Sequence, residues 1–143
     1  MKQKDKQYYY NLLKAIADKS TCDRAKISAI IVKDKITISS GYNGSPRKKE
    51  ECDDAGHLIV NNHCIRAVHA EENAIINAAR LGISIDGCEM ISLYKPCYSC
   101  MKRLINSGIK NCYYFEDYKD DSQKLFEKNS YCEFTKVEMP ITK

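Results

Sequence analysis

The first apolar positions of the chain fall at Tyr9, Leu12, Leu13, Ile16 and Ala17, a three-and-four spacing that predicts an amphipathic helix. The pattern then changes. Ile27 to Val32 reads ISAIIV, a near-continuous apolar run of strand length. Lys33-Asp34-Lys35 makes a tight polar turn into ITISS, where Ile36 and Ile38 alternate with polar residues, so a hairpin is expected. Gly41-Tyr42-Asn43-Gly44-Ser45-Pro46 follows, dense in residues that favour irregular backbone. From there to about Arg66 the chain is polar, and a loop of roughly 20 residues inside a compact domain is commonly functional.

Helical periodicity returns from about Ala70 to Leu81, with Gly82 as a C-terminal stop. CEMISLY is strand-like, and CYSCMKRLINSG reads as a helix that buries Met101, Leu104 and Ile105 and ends at Gly108. CYYF predicts a strand, residues 120 to 129 a short polar helix, and YCEFTKVEM a closing strand in which Cys132 and Phe134 alternate with polar neighbours. No repeat, linker or low-complexity tract interrupts this order, so residues 1–143 are expected to form one domain. The order αββ-loop-αβαβαβ predicts an α/β fold, with a sheet that is mainly parallel beyond the first hairpin and helices on both faces.

Composition narrows the classes. With 43% hydrophobic and 29% charged residues the chain is ordinary for a globular protein. No apolar run approaches the roughly 18 residues of a membrane helix, and the N-terminus lacks the apolar core of a secretory signal, so a cytoplasmic protein is the default expectation. A formal charge of +4 suits an anionic small molecule and gives little support to a large nucleic-acid footprint. Eight cysteines are many, and cytosolic thiols stay reduced, so metal ligation and packing compete to explain them. Cys88, Cys112 and Cys132 sit in or beside strand-like apolar runs and read as packing.

Cys97 and Cys100, in KPCYSC, need more thought, because C-x-x-C serves redox couples, structural zinc and catalytic centres alike. What decides is His69-Ala70-Glu71 at the start of the preceding helix. His69 and Glu71 would diverge in mid-helix, but at a first turn both can project off the end of the axis. Cys97 and Cys100, at i and i+3 in another first turn, face one way, and both helix N-termini favour thiolates. In a βαβ sheet those N-termini lie at the carboxyl edge of the strands, where ligands bind. One imidazole and two thiolates leave the fourth tetrahedral position of Zn²⁺ open, which is the catalytic arrangement, and Glu71 beside it is the expected proton shuttle.

His-x-Glu with Pro-Cys-x-x-Cys is the signature of the zinc nucleobase deaminases. The segments SAIIVKDKITISSGYNGSPR, VHAEENAIINAARLG, PCYSC and INSGIKNCYYFEDY span roughly 28 to 118 and resemble the deoxycytidylate (dCMP) deaminases of the cytidine deaminase-like superfamily. GYNGSP, HAEENAI, SGIK and Tyr118 favour that branch over the tRNA adenosine deaminases. The resemblance implies a three-layer αβα fold with a mixed, mostly parallel five-stranded sheet. It also implies a homo-oligomer, from dimer to hexamer, often with dCTP and dTTP as effectors. The implied activity is hydrolysis of dCMP to dUMP and ammonia, feeding thymidylate synthesis.

By the same resemblance Asn43, Ala70 and Tyr118 belong to the substrate pocket. Asn43 read alone could also be a left-handed turn residue, and Tyr118 a core tyrosine. Arg47, Lys48 and Lys49, and more distantly Arg24, could meet a 5′-phosphate or be solvated loop charge. Cys22 and Cys52 fall where some family members place a second, structural zinc, and Cys64 with His57 or His63 would complete four ligands. The alternative is free cysteines in a loop. Ser28 in place of a usual Gly, Leu93 in place of Thr and Lys95 before Pro96 depart from the family pattern. Two other readings stay open: a deaminase of tRNA or other nucleic acid, which should carry an extended basic face, and a non-catalytic zinc-binding regulator or competence-type protein, which has no need of Glu71.

Overall fold

A computed structural model describes residues 1–20, 26–46, 51, 56, 58–60, 63–64 and 67–140, with the backbone alone at 59–60 and 63–64. Helix α1 (Gln3–Ala17) leads into the hairpin β1 (Ser28–Lys33) and β2 (Ile36–Tyr42). Two short strands, β3 (Ile59–Val60) and β4 (His63–Cys64), precede α2 (Ala70–Arg80), β5 (Glu89–Tyr94), α3 (Tyr98–Asn106) and β6 (Asn111–Glu116). A 3-10 helix (Asp121–Leu125) and β7 (Glu133–Lys136) complete the fold.

The five-stranded sheet runs β2-β1-β5-β6-β7. β5, β6 and β7 are parallel, whereas β1 is antiparallel to both β2 and β5. Four strands therefore share one direction, and the α2 crossover from β2 to β5 passes over β1. That insertion of the hairpin makes the sheet mixed.

Alternation along β1 sorts the core into two layers. Ile30 and Val32 pack with Tyr9, Leu13 and Ala17 of α1 and with Ile91, Leu93 and Phe115. Ala29 and Ile31 pack on the other side with Ala70 and Ala74 of α2, Leu104 of α3, Met90 and Cys112. The apolar stripe read for α1 is the buried one, with Leu12 and Ile16 at its partly buried margin. Cys88, Cys112 and Cys132 are buried free thiols in the α2–α3 layer. Leu93 fills the α1 layer, and the hydroxyl of Ser28 donates to Leu13 O at 2.5 Å, which accounts for both departures in packing terms.

Three elements differ from expectation. The polar loop contains the β3–β4 pairing, with Ile59 opposite Cys64 and Val60 opposite His63. The polar helix expected from 120 shortens to one 3-10 segment opened by a capping box of Asp120 and Gln123. Just beyond it the Asn129 side chain donates to Phe126 O and accepts from Tyr131 N and Cys132 N, which holds the chain in a turn. The closing strand keeps four residues, those that pair with β6.

Helix α2 lies directly on β2. A Cβ at Gly41 would collide with Ala70 O and Ala74 N of the helix backbone. Ser39 Oγ donates to Ala74 O (2.7 Å), Asn77 Nδ2 to Ser40 O (2.8 Å) and Asn73 Nδ2 to Tyr42 O (2.8 Å). Beyond the strand, Gly44 and Val68 exchange two backbone hydrogen bonds that close the base of the long loop.

Two glycine exchanges should therefore act in opposite directions. Gly41→Ala forces α2 off the sheet and is expected to lower stability by about 3 kcal/mol. Lys35, held at φ 66 in the hairpin turn beside Asp34 at φ 51, becomes relaxed as Gly, and Lys35→Gly should add about 1 kcal/mol. Urea unfolding of both variants measures the two shifts.

Candidate metal centre

His69 and Cys97 are the N-cap residues of α2 and α3, both in extended backbone conformation. The helices follow β2 and β5, whose carboxyl ends lie at the same end of the sheet. The Nδ1 of His69 stands 3.5 Å from Cys97 Sγ and 3.4 Å from Cys100 Sγ. Bond lengths of about 2.3 Å to sulfur and about 2.0–2.1 Å to nitrogen, at a tetrahedral angle, separate those atoms by about 3.6 Å. The three donor atoms all lie within 4.8 Å of one another. They fit one zinc ion, with His69 presenting Nδ1.

A metal ligand at an N-cap gives up the ordinary capping role, and neither His69 nor Cys97 makes a cap hydrogen bond. The first N–H of each helix is satisfied from outside. Asn43 Oδ1 accepts from Ala70 N at 2.8 Å, and Asp120 Oδ2 accepts from Tyr98 N at 2.7 Å.

Glu71, in the first turn of α2, is 5% exposed. Ser92 of β5, fully buried, places its hydroxyl 3.4 Å from Glu71 Oε1 and 3.5 Å from Ser28 O. Burial pushes the Glu71 carboxyl above its ordinary range, while Cys100, His69 and Ser92 oppose the shift. The two thiols shift in opposite directions, because each is hydrogen-bonded to the other. Cys97 is lowered to about 4, chiefly by its hydrogen bond with Cys100, with His69 contributing after the opposing cost of burial. Cys100 is raised by the same partnership, and His69 is raised to about 9, first by Cys97.

The other residues singled out from the sequence divide. Asn43 is buried, is not left-handed, and uses its side-chain oxygen to cap α2. The Ala70 methyl belongs to the core, and its N–H is the group that Asn43 caps. Tyr118 is half-buried, and its phenol is raised first by burial and then by Cys97, Asp120, Cys100 and Glu71, so it borders the cluster. Lys95 turns away from the cluster: its Nζ pairs with Glu127 Oε1 at 2.6 Å and lies 5.9 Å from the Tyr114 ring centroid. Cys22, Arg24, Arg47, Lys48, Lys49, Cys52 and His57 lie outside the described residues, as do the side chains of His63 and Cys64. Among the described residues, His69, Cys97 and Cys100 are the one cluster able to hold a metal.

Sequence reasoning missed Ser92, Asp120 and Gln123. Ser92 carried a signal, a hydroxyl inside the otherwise apolar MISLY. Asp120-x-x-Gln123 carried another, the spacing of a capping box.

The family model for the cytidine and deoxycytidylate deaminase zinc-binding region matches residues 3–116. The chain belongs to the cytidine and deoxycytidylate deaminase family. ComE operon protein 2 of Bacillus subtilis (strain 168) is 43% identical over 124 residues, covering 85% of this chain and 66% of that protein. The deoxycytidylate deaminase of Enterobacteria phage T2 is 32% identical over 141 residues, covering 72% of this chain and 75% of that enzyme. The crystal structure of the cyanophage S-TIM5 dCMP deaminase in complex with dCMP and dUMP superposes with a TM-score of 0.81 at 28% identity, over 96% of this chain and 99% of that one. A zinc-binding deaminase domain thus agrees with the donor geometry.

The thiol pair offers a test of that geometry. In protein stripped of metal, Cys97 with its pKa near 4 stays a thiolate as the pH falls from 9 to 5, so its alkylation rate should hardly change. An ordinary cysteine would lose reactivity throughout that range. Iodoacetamide labelling read by peptide mass spectrometry should mark Cys97 and spare Cys100, and zinc should protect both.

Proposed function

We propose that this chain hydrolyses the C4 amino group of dCMP, giving dUMP and ammonia. The observation that carries the reading is Glu71: a carboxyl buried beside the His69–Cys97–Cys100 cluster, with its pKa raised by that burial. A purely structural zinc site has no use for such a group. The likeness to the phage T2 and S-TIM5 enzymes supports dCMP as the substrate.

Bound at this cluster, zinc supplies Lewis-acid activation of water near neutral pH. The chain's own residues supply the proton traffic. Glu71 takes the proton that the water sheds and delivers it to ring N3, making C4 more electrophilic. Hydroxide adds to C4, and the same carboxyl then takes the proton of the new C4 hydroxyl and passes it to the amino group. That group leaves as ammonia as the C4 carbonyl forms, so one residue serves as base and acid in turn. Its raised pKa suits both roles, and Ser92 holds one of its oxygens. Tyr118 borders the pocket in this reading. Asn43 contributes by fixing the first turn of α2 and by facing the nucleotide, while Arg24 and Arg47 are the candidates for its 5′-phosphate.

The reading carries the family's further properties as proposals: a homo-oligomer, dCTP and dTTP as effectors, a cytoplasmic location, and a second, structural zinc held by Cys22, Cys52 and Cys64 with His57 or His63. One observation favours a non-catalytic alternative: the 43% identity to a Bacillus protein named only for its operon. Retention of Glu71 weighs against it.

Ammonia release from the zinc-loaded protein should be fastest with dCMP when CMP, dCTP, cytidine and tRNA are offered alongside, each with and without dCTP or dTTP. Glu71→Gln should keep its zinc and lose at least about 100-fold in turnover. A Gln variant with near-normal turnover contradicts the assignment, and wild-type protein that holds zinc but deaminates none of these substrates supports the regulator.

A further inference from the structure

We infer that Asp120 and Gln123 are positioning residues for the zinc-ligand turn, acting through the backbone on either side of Cys97. Neither belongs to the ligand set, and neither is exposed: Gln123 is 5% accessible and Asp120 is partly buried.

The problem that they solve arises from the N-cap position of Cys97. An N-cap side chain ordinarily accepts a hydrogen bond from the first turn and so fixes the approach of the chain. Cys97 directs its sulfur at His69 and makes no such bond. Without a substitute, the turn Pro96–Cys100 would be free to swing the two sulfurs relative to His69.

The substitute comes from the segment after β6. Asp120 Oδ2 accepts from Tyr98 N at 2.7 Å, the residue after Cys97. Gln123 Nε2 donates to Pro96 O at 2.7 Å, the residue before it. The two clamp residues also fix each other. Gln123 Oε1 accepts from Asp120 N at 3.3 Å, and Asp120 Oδ1 accepts from Ser122 N at 3.0 Å. Two side-chain contacts join the same pieces of chain: the Tyr98 and Phe126 rings stack at 5.0 Å, and Lys95 pairs with Glu127. The peptide groups flanking a zinc ligand are thus held from outside its helix. This places Asp120 and Gln123 among the outer partners whose loss usually costs 10–100-fold in metal affinity or activity.

The inference rests on the zinc ligands assigned above, and zinc release tests the two separately. Zinc-loaded protein is mixed with excess chromogenic chelator, and the release rate is read beside the melting temperature. Asp120→Ala removes the acceptors for both Tyr98 N and Ser122 N, whereas Asp120→Asn keeps one oxygen and sets its NH2 against the other N–H. Gln123→Glu keeps the acceptor for Asp120 N but loses the donor to Pro96 O. Ile109→Val trims the core away from the site and controls for general destabilisation. Asp120→Ala and Gln123→Glu should release zinc roughly 10-fold or more faster than wild type, with Asp120→Asn between them and wild type and Ile109→Val close to wild type. Should Asp120→Ala fail to fold, Gln123→Glu against Ile109→Val gives the same comparison. Release at the wild-type rate in the clamp variants, or equal acceleration by Ile109→Val, overturns the positioning role while leaving the ligands intact. A wild-type zinc that survives Cys97→Ser overturns the ligand assignment, and the positioning role with it.

Discussion

The contact between α2 and β2 at Gly41 governs where the chemistry stands. With no side chain between them, helix and strand backbones touch, and three side-chain hydrogen bonds from Ser39, Asn73 and Asn77 lock the rotation and height of the helix. The N-terminus of α2 is thereby held at the end of the sheet where β5 also ends. His69 and Glu71 inherit their positions from that contact, and Cys97 and Cys100 inherit theirs from the short connection between β5 and α3. An ion can bridge the two helices because the sheet fixes the distance between their first turns.

Both helices place a metal ligand at the N-cap, where a side chain projects off the axis instead of lying along it. That position suits a ligand but removes the local cap, and the fold supplies each cap from a distance, Asn43 for α2 and Asp120 for α3. The same geometry buries Glu71 behind the ligands, against Ser92. Burial raises the carboxyl pKa, and a base that must later act as an acid needs a pKa between those tasks. Metal binding and the proposed proton transfer therefore draw on one arrangement of helix ends.

Much of this was legible in the sequence because it is local. The stripe of α1, the strand alternation of β1 and β2, and the stops at Gly82 and Gly108 follow from periodicity and backbone preference. The cluster was legible because His-x-Glu and Cys-x-x-Cys each sit in one helical turn, and the α/β order puts those turns at one edge. What escaped depends on tertiary neighbours. The placement of β5 beside β1 follows from the crossover of α2, which no local pattern states. Asp120 and Gln123 read as ordinary helix starters until Pro96 and Tyr98 are seen beside them. Lys95 stood out only as a departure beside Pro96, and its partner Glu127 lies 32 positions away.

The central claim is a zinc held by His69, Cys97 and Cys100 alone, with its fourth position open beside Glu71. A crystal structure of the zinc-loaded protein, with anomalous differences collected at the zinc edge, measures this directly. The account predicts a peak about 2.3 Å from the sulfurs of Cys97 and Cys100 and about 2.0–2.1 Å from His69 Nδ1, with no fourth protein ligand. A fourth protein ligand at that peak, or no peak between these three side chains, would contradict it.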